Sequence, residues 1–161
     1  MQEMRWLISV AVLVLCVLTG AARDAVITTW NMKWFPSGKA DLRISQEFES
    51  FKIRKAGKML GDAVLSVGFS EGDGVIIMVE ELRDEDVCSN LVAQCQINGL
   101  QVAAVSRCKD KAGYPVWQQS AIFTNLKVVE AGYMPWQSER YVDMPRGFAF
   151  AVLGEGEELI A

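Results

Sequence analysis

Residues 75–84 of the chain read VIIMVEELRD, a stretch that joins a short apolar run to a cluster of charged residues. Its first five residues form a continuous apolar run, which is typical of a strand covered on both faces of its sheet. Glu80 and Glu81 follow directly, so they lie at the carboxyl end of the strand, where the sites of α/β proteins gather. Because adjacent strand residues point to opposite faces, we expect only one of the two carboxylates to face a given cleft.

These two carboxylates allow two interpretations. Carboxylate oxygen is the ligand type that Mg²⁺ prefers, which makes the pair a candidate metal site. The alternative is that both are solvated residues at the start of the next helix, where acidic side chains suit the helix dipole.

Outward from this stretch, the pattern predicts an α/β fold in the order strand, helix, strand, helix and then several strands. Residues 25–34 (AVITTWNMKW) are rich in β-branched and aromatic side chains and predict a strand. A helix is predicted over 45–67, with its apolar face formed by Ile44, Phe48, Phe51, Met59 and Ala63. A second helix is expected to about residue 97, followed by strands over 100–108, 117–125, 127–132 and 147–153 and by the start of another at 159.

Asn31 is a second candidate site residue, because it interrupts the strand at 25–34. Asparagine is disfavoured in strands, and a buried amide needs hydrogen-bond partners. It is therefore either a satisfied structural residue near the strand end or part of a phosphate or metal site.

Two motifs in this order and spacing resemble the opening of the endonuclease/exonuclease/phosphatase superfamily (deoxyribonuclease-I-like). Trp30-Asn31 matches the Trp/Phe-Asn pair of the family's first strand, and residues 81–84 (ELRD) match the motif that ends its second strand. Glu80 departs from the family's usual glutamine and adds a negative charge there. The resemblance implies a two-sheet αββα sandwich in which Asn31 positions the phosphate and metal and Glu81 is a direct ligand of Mg²⁺, with Mn²⁺ or Ca²⁺ as alternatives.

The resemblance also implies a function, the hydrolysis of phosphodiesters in nucleic acid or in another phosphodiester substrate. However, the chain contains no histidine, and the family's later His, Gly-Asp-Phe-Asn and Ser-Asp-His motifs are absent from it. We therefore expect residues 23–161 to be the N-terminal part of such a domain, truncated at its C-terminus and inactive alone, which leaves its status as an enzyme open. The alternative function is a non-catalytic secreted binding module that retains half of the fold.

The N-terminal 22 residues have the features of a signal peptide. Arg5 gives a positive start, residues 7–18 are almost entirely apolar, and Ala21 and Ala22 offer small residues for cleavage. The apolar run is shorter than the roughly 20 residues that span a bilayer. We expect export to the periplasm or the extracellular space without stable membrane insertion after cleavage; an uncleaved N-terminal anchor is the alternative.

The net charge limits the possible binding partners, and the cysteine content limits the possible disulfides. A formal net charge of -4 argues against a general basic coat for nucleic acid but permits a local basic patch. Cleavage of the signal would leave Cys88, Cys95 and Cys108. Either one of the first two pairs with Cys108 or all three are buried free thiols, and the sequence leaves both alternatives open.

Overall fold

The structure is a computed structural model that describes residues 11–12, 25–38, 44–70, 72–109, 118–135, 147–155 and 158–160. The elements in chain order are β1 Ala11–Val12, β2 Ala25–Phe35, α1 Gln46–Ser66, β3 Gly74–Leu82, α2 Glu85–Gln94, β4 Gln101–Val105, β5 Gln119–Thr124, β6 Lys127–Pro135, β7 Gly147–Glu155 and β8 Glu158–Ile160.

The strands form two sheets. A five-stranded mixed sheet has the order β1-β2-β3-β5-β4, in which β2 and β3 are parallel and are connected by α1. The other pairs in this sheet are antiparallel, and β6, β7 and β8 form a second, antiparallel sheet. Strands β6 and β7 lie against β4 and β5. The predicted α/β class is confirmed, with a mixed sheet and a second sheet beside it.

The first strand pair involves the segment that the sequence predicts to be a signal peptide. Strand β1 lies within residues 1–22 and pairs with Thr28 and Thr29 of β2; the remainder of that segment lies outside the described residues. None of the helices in the described part of the chain is long and apolar enough to cross a membrane.

The core lies between the mixed sheet and the two helices. Alternate residues of β3, namely Val75, Ile77 and Val79, are fully buried against α1 and α2. Trp30 of β2 and Phe123 of β5 extend the same cluster on either side. On the other face of β3, Ile76 is buried but Met78 is 40% exposed, so the cover on both faces that the apolar run predicts holds for only part of the strand.

The predicted apolar face of α1 is wrong at Phe48, Phe51 and Met59, whereas Ala63 packs against the core. The helix begins after Ser45, whose hydroxyl accepts from the Phe48 backbone N–H, but it buries Ile53, Gly57, Leu60, Gly61 and Val64. Phe48, Phe51 and Met59 remain 47%, 54% and 40% exposed. The reason is the two glycines, which let the carboxyl-terminal end of α2 approach the α1 backbone closely. Glycine contributes nothing to an apolar pattern, so sequence periodicity selected the opposite face.

Several element ends differ from the predicted ones. Helix α2 ends at Gln94 rather than near residue 97, and β6 continues to Pro135. Strand β4 ends at Val105 because the backbone of Cys108 bonds to the side chain of Gln119 rather than to the backbone of β5. The Gln119 Oε1 accepts from the Cys108 N–H at 3.0 Å, and its Nε2 donates to the Cys108 carbonyl at 3.2 Å.

The three cysteines among the described residues are buried free thiols, which decides between the two alternatives left by the sequence. Burial raises the pKa of Cys95 to about 11. Burial, together with the nearby charges of Asp84 and Glu85, raises the pKa of Cys88 to about 12.

Candidate functional site

Asn31 and Glu81 meet at one edge of the mixed sheet. Because β2 and β3 are parallel, their carboxyl ends lie side by side, and the pairing places Asn31 opposite Glu80. The Asn31 Nδ2 donates to Glu81 Oε1 at 3.1 Å, which connects two residues 50 positions apart. The structure therefore brings together both side chains that the sequence selected as site residues.

A local irregularity in each strand makes this contact. Between the pairs Val79/Ala121 and Leu82/Gln119, β3 advances three residues while β5 advances two, so β3 contains one extra residue. In β2 the chain advances four residues from Asn31 to Phe35 while β3 advances two, from Glu80 to Leu82. Such bulges redirect side chains and are common beside active sites.

The bulges change the expected alternation of Glu80 and Glu81. Glu80 keeps the face that it shares with its partner Asn31. Glu81 has a φ of 62°, in the left-handed region, and its carboxylate also reaches Asn31. The expected alternation assumed a regular strand, which the bulge in β3 interrupts between Val79 and Leu82.

Left-handed backbone is concentrated here. Lys33 and Trp34 have φ values of 50° and 59°, so three of the four non-glycine residues with positive φ in the described part of the chain lie at this sheet edge. Each costs of the order of 1 kcal/mol relative to ordinary backbone. Strain of this kind persists where the surrounding structure holds it, and it is frequent at functional sites.

The Asn31 amide is held at both of its ends. Its Oδ1 accepts from the Lys33 backbone N–H at 2.9 Å while its Nδ2 donates to Glu81. The reversed orientation would set two acceptors against each other and two donors against each other, so the amide has a single satisfied orientation. The two hydrogen bonds of Asn31 therefore hold its Nδ2 group, a donor, next to the Glu81 carboxylate.

Arg83 and Asp84, the last two residues of the family-like motif, have structural roles. Arg83 forms a bidentate pair with Glu49 of α1, at 2.6 and 2.8 Å, and its Nε contacts Asp84 at 2.6 Å. The hydrogen bond to Glu49 is the largest cause of a raised pKa at Arg83, and the bond to Asp84 raises this pKa further. Asp84 also caps α2 by accepting from the Val87 N–H at 2.8 Å. The motif therefore fastens both helices to the edge that carries Glu81.

Two residues of this edge were missed by sequence reasoning. Glu49 anchors Arg83, and the Lys52 ammonium donates to the Pro36 carbonyl at 2.8 Å, which ties α1 to the loop after β2. Both lie on a helix whose charged residues look like an ordinary solvated face, so no sequence signal distinguished them.

The side chains at this edge that could contact a metal ion are two neighbouring carboxylates and one amide. Among the described residues no group of three or more His, Cys, Asp or Glu side chains is arranged to hold an ion. Mg²⁺, however, is usually bound through one or two carboxylates, with water and substrate phosphate completing its coordination. Glu81, half-buried and oriented by Asn31, fits that requirement as a single carboxylate ligand.

Comparison of the chain with protein-family models, with curated proteins and with solved structures finds no match.

Proposed function

We propose that this chain carries the metal-binding edge of an exported, Mg²⁺-dependent phosphodiester hydrolase of the deoxyribonuclease-I-like type, with the two-sheet αββα sandwich of that superfamily. One observation carries the proposal: the hydrogen bond between Asn31 and Glu81 at the carboxyl ends of adjacent parallel strands. A structural role for Asn31 alone would not require a strained backbone at Glu81 to bring the carboxylate to it.

In this function Glu81 would hold the metal ion and Asn31 would orient both the Glu81 carboxylate and the substrate phosphate. The bound ion would neutralise phosphate charge and lower the pKa of the attacking water. Arg83 would not contact the metal or the substrate. Its ion pair with Glu49 would instead hold the end of β3 against α1. The chain contains no histidine, so no histidine of this chain serves as an acid or base.

Metal binding tests the proposal directly. Titration of the 161-residue chain with Mn²⁺, followed by the electron paramagnetic resonance signal of the free ion, should show one weak site with a Kd of about 1 mM, as expected for a site with few protein ligands. Glu81→Gln should abolish that site. Glu80→Gln is the matched control: it removes the neighbouring charge but not the ligand, so it should weaken binding only about fivefold. Equal binding by the wild type and Glu81→Gln would refute the proposal.

Hydrolysis provides a separate check. Because one carboxylate and one amide cannot alone supply a nucleophile, charge stabilisation and a general acid, the 161-residue chain with Mg²⁺ should not nick supercoiled plasmid. Robust nicking that survives Glu81→Gln would contradict the assignment of the metal site to this sheet edge.

A further inference from the structure

Five exposed residues form one face of α1 on the side of the helix that meets solvent. Glu47, Phe48, Phe51, Arg54 and Lys55 follow the spacing i, i+1, i+4, i+7 and i+8, which places them on one side of a helix. We call these five residues the outer face of α1; all of them are exposed. Its two phenylalanines are about half exposed, which is unusual for rings of this size. Exposed apolar surface with charged groups around it is typical of an interaction site.

The two rings form an ordered pair at the centre of this face. Their centroids are 6.4 Å apart and their planes are inclined by 11°, so the rings are stacked nearly parallel. The Lys52 ammonium lies 5.1 Å from the centroid of Phe48 and donates to the Pro36 carbonyl, so Phe48 is held from one side. Phe51 is the more exposed ring. Because the pair is already ordered in the single chain, packing a partner against Phe51 costs little side-chain entropy.

The outer face carries opposite charges at its two ends. Glu47 lies in the first turn of α1, and Arg54 and Lys55 lie about two turns further on. None of the three forms a salt bridge with a described residue, whereas the other two carboxylates of α1 are neutralised within the fold. A face with this polarity does not select a partner of one charge sign. It is complementary to a copy of itself that runs in the opposite direction.

Phe51 is the midpoint of the outer face. It lies four residues from both Glu47 and Lys55, and three residues from both Phe48 and Arg54. A two-fold axis that passes beside Phe51 therefore brings Glu47 of one copy opposite Lys55 of the other, and Phe48 opposite Arg54. Each of these contacts occurs twice, as a two-fold interface requires. The two Phe51 rings meet at the axis, and each Arg54 guanidinium meets an aromatic ring, which attracts it.

We propose that the outer face of α1 binds a second copy of this chain, with the two α1 helices antiparallel and Phe51 on the two-fold axis. The row formed by Glu47, Phe51 and Lys55 has the four-residue interval whose ridges interdigitate in the commonest class of helix packing. Since the contact involves one helix of each copy, it is small for an interface, and we expect a Kd of the order of 10 µM. A lipid surface fits less well, because insertion of this face would desolvate three charged groups. The inference does not rest on the proposed function, since neither Asn31 nor Glu81 lies on this face.

Sedimentation equilibrium of the 161-residue chain in EDTA at low salt measures the association. Concentrations up to about 200 µM lie well above the expected Kd. Phe51→Ala should weaken the dimer at least about tenfold, because it removes the aromatic contact at the centre of the interface. Leu65→Ala is the control, since Leu65 is 53% exposed on the same helix. It lies about 21 Å along the helix from Phe51, beyond the start of the other copy's α1, so its substitution should leave the Kd unchanged.

A charge exchange tests the antiparallel arrangement. Glu47→Lys and Lys55→Glu, each alone, place like charges opposite each other twice in the dimer, and each should weaken it about tenfold. The double variant restores opposite charges and should associate within about twofold of the wild type. Positions 47 and 55 are about 12 Å apart along one helix, so this recovery can arise only between copies. Circular dichroism should show that the variants remain folded, as expected for exposed positions.

Three outcomes decide the proposal. A chain that stays monomeric at about 200 µM would overturn it and leave the outer face of α1 to a different partner. Association that is unchanged in Phe51→Ala, or that the double charge exchange does not recover, would overturn it as well, because the two copies would then meet elsewhere. Glu81→Gln separates this inference from the proposed function, since it should lose the Mn²⁺ site and still dimerise like the wild type.

Discussion

The pair between Arg83 and Glu49 should be the strongest side-chain link between α1 and the edge that carries the candidate site. It is bidentate, with N···O distances of 2.6 and 2.8 Å, and its side chains are only 27% and 21% exposed. Hydrogen bonds to charged groups contribute about 1.5–3 kcal/mol, whereas exposed ion pairs contribute about 0.2–1 kcal/mol. Because solvent still screens this pair in part, we expect a coupling free energy of about 1–1.5 kcal/mol, between those two ranges.

A double-mutant cycle measures that coupling. The variants are Glu49→Gln, Arg83→Gln and their combination, and the observable is the free energy of unfolding in urea. Arg83→Gln also removes the contact with Asp84, but this loss occurs on both sides of the cycle and cancels. The result of the cycle therefore isolates the pair itself.

The matched control is the pair between Lys58 and Asp62 on the same helix. Its side chains are 68% and 59% exposed, and the two residues are four positions apart. Such pairs contribute about 0.3–0.5 kcal/mol. If the Arg83–Glu49 coupling were no larger than that of Lys58–Asp62, the view that Arg83 fastens α1 to the site edge would be wrong.

Two further predictions concern the packing of the helices. Gly61→Ala should destabilise the protein by about 2 kcal/mol or more, because a methyl group there would collide with the Cys95 carbonyl oxygen. The control is Ser66→Ala, an exposed change in the same helix. In the same urea titration it should be neutral or slightly stabilising. Burial raises the pKa of Cys95 from its ordinary value of 9.0 to about 11 and that of Cys88 to about 12, so the native thiols should resist iodoacetamide at pH 8. Since both folded-state pKa values lie above the unfolded ones, the stabilisation by these thiols should be complete below about pH 9 and should be lost progressively as the pH rises to 11–12; constant stability across that range would contradict the assignment.

The sequence predicted the order of the elements because its signals are local. The apolar run that begins at Val75 and the β-branched and aromatic residues of 25–34 each depend on neighbours in the chain. The resemblance alone put Asn31 and Glu81 in one site; the structure brings them together because β2 and β3 are parallel and their carboxyl ends share one edge.

Other features depend on contacts that no local pattern contains. The bulge between Val79 and Leu82 is defined by the pairing of β3 with its neighbours, so strict alternation could not place Glu81. The buried face of α1 is set by how closely α2 approaches Gly57 and Gly61. The insertion of β5 between β3 and β4 is likewise a property of the whole sheet.

Paramagnetic broadening by Mn²⁺ shows whether Asn31 and Glu81 form one site for a divalent cation. In the ¹H–¹⁵N spectrum of the 161-residue chain, substoichiometric Mn²⁺ should broaden the side-chain amide of Asn31 first, because its Nδ2 lies 3.1 Å from Glu81 Oε1. The side-chain amide of Gln101, on the far edge strand β4, provides the internal reference and should stay sharp. Glu81→Gln should abolish the selective loss at Asn31. Equal broadening of both amides, or broadening at Asn31 that persists in Glu81→Gln, would contradict the account.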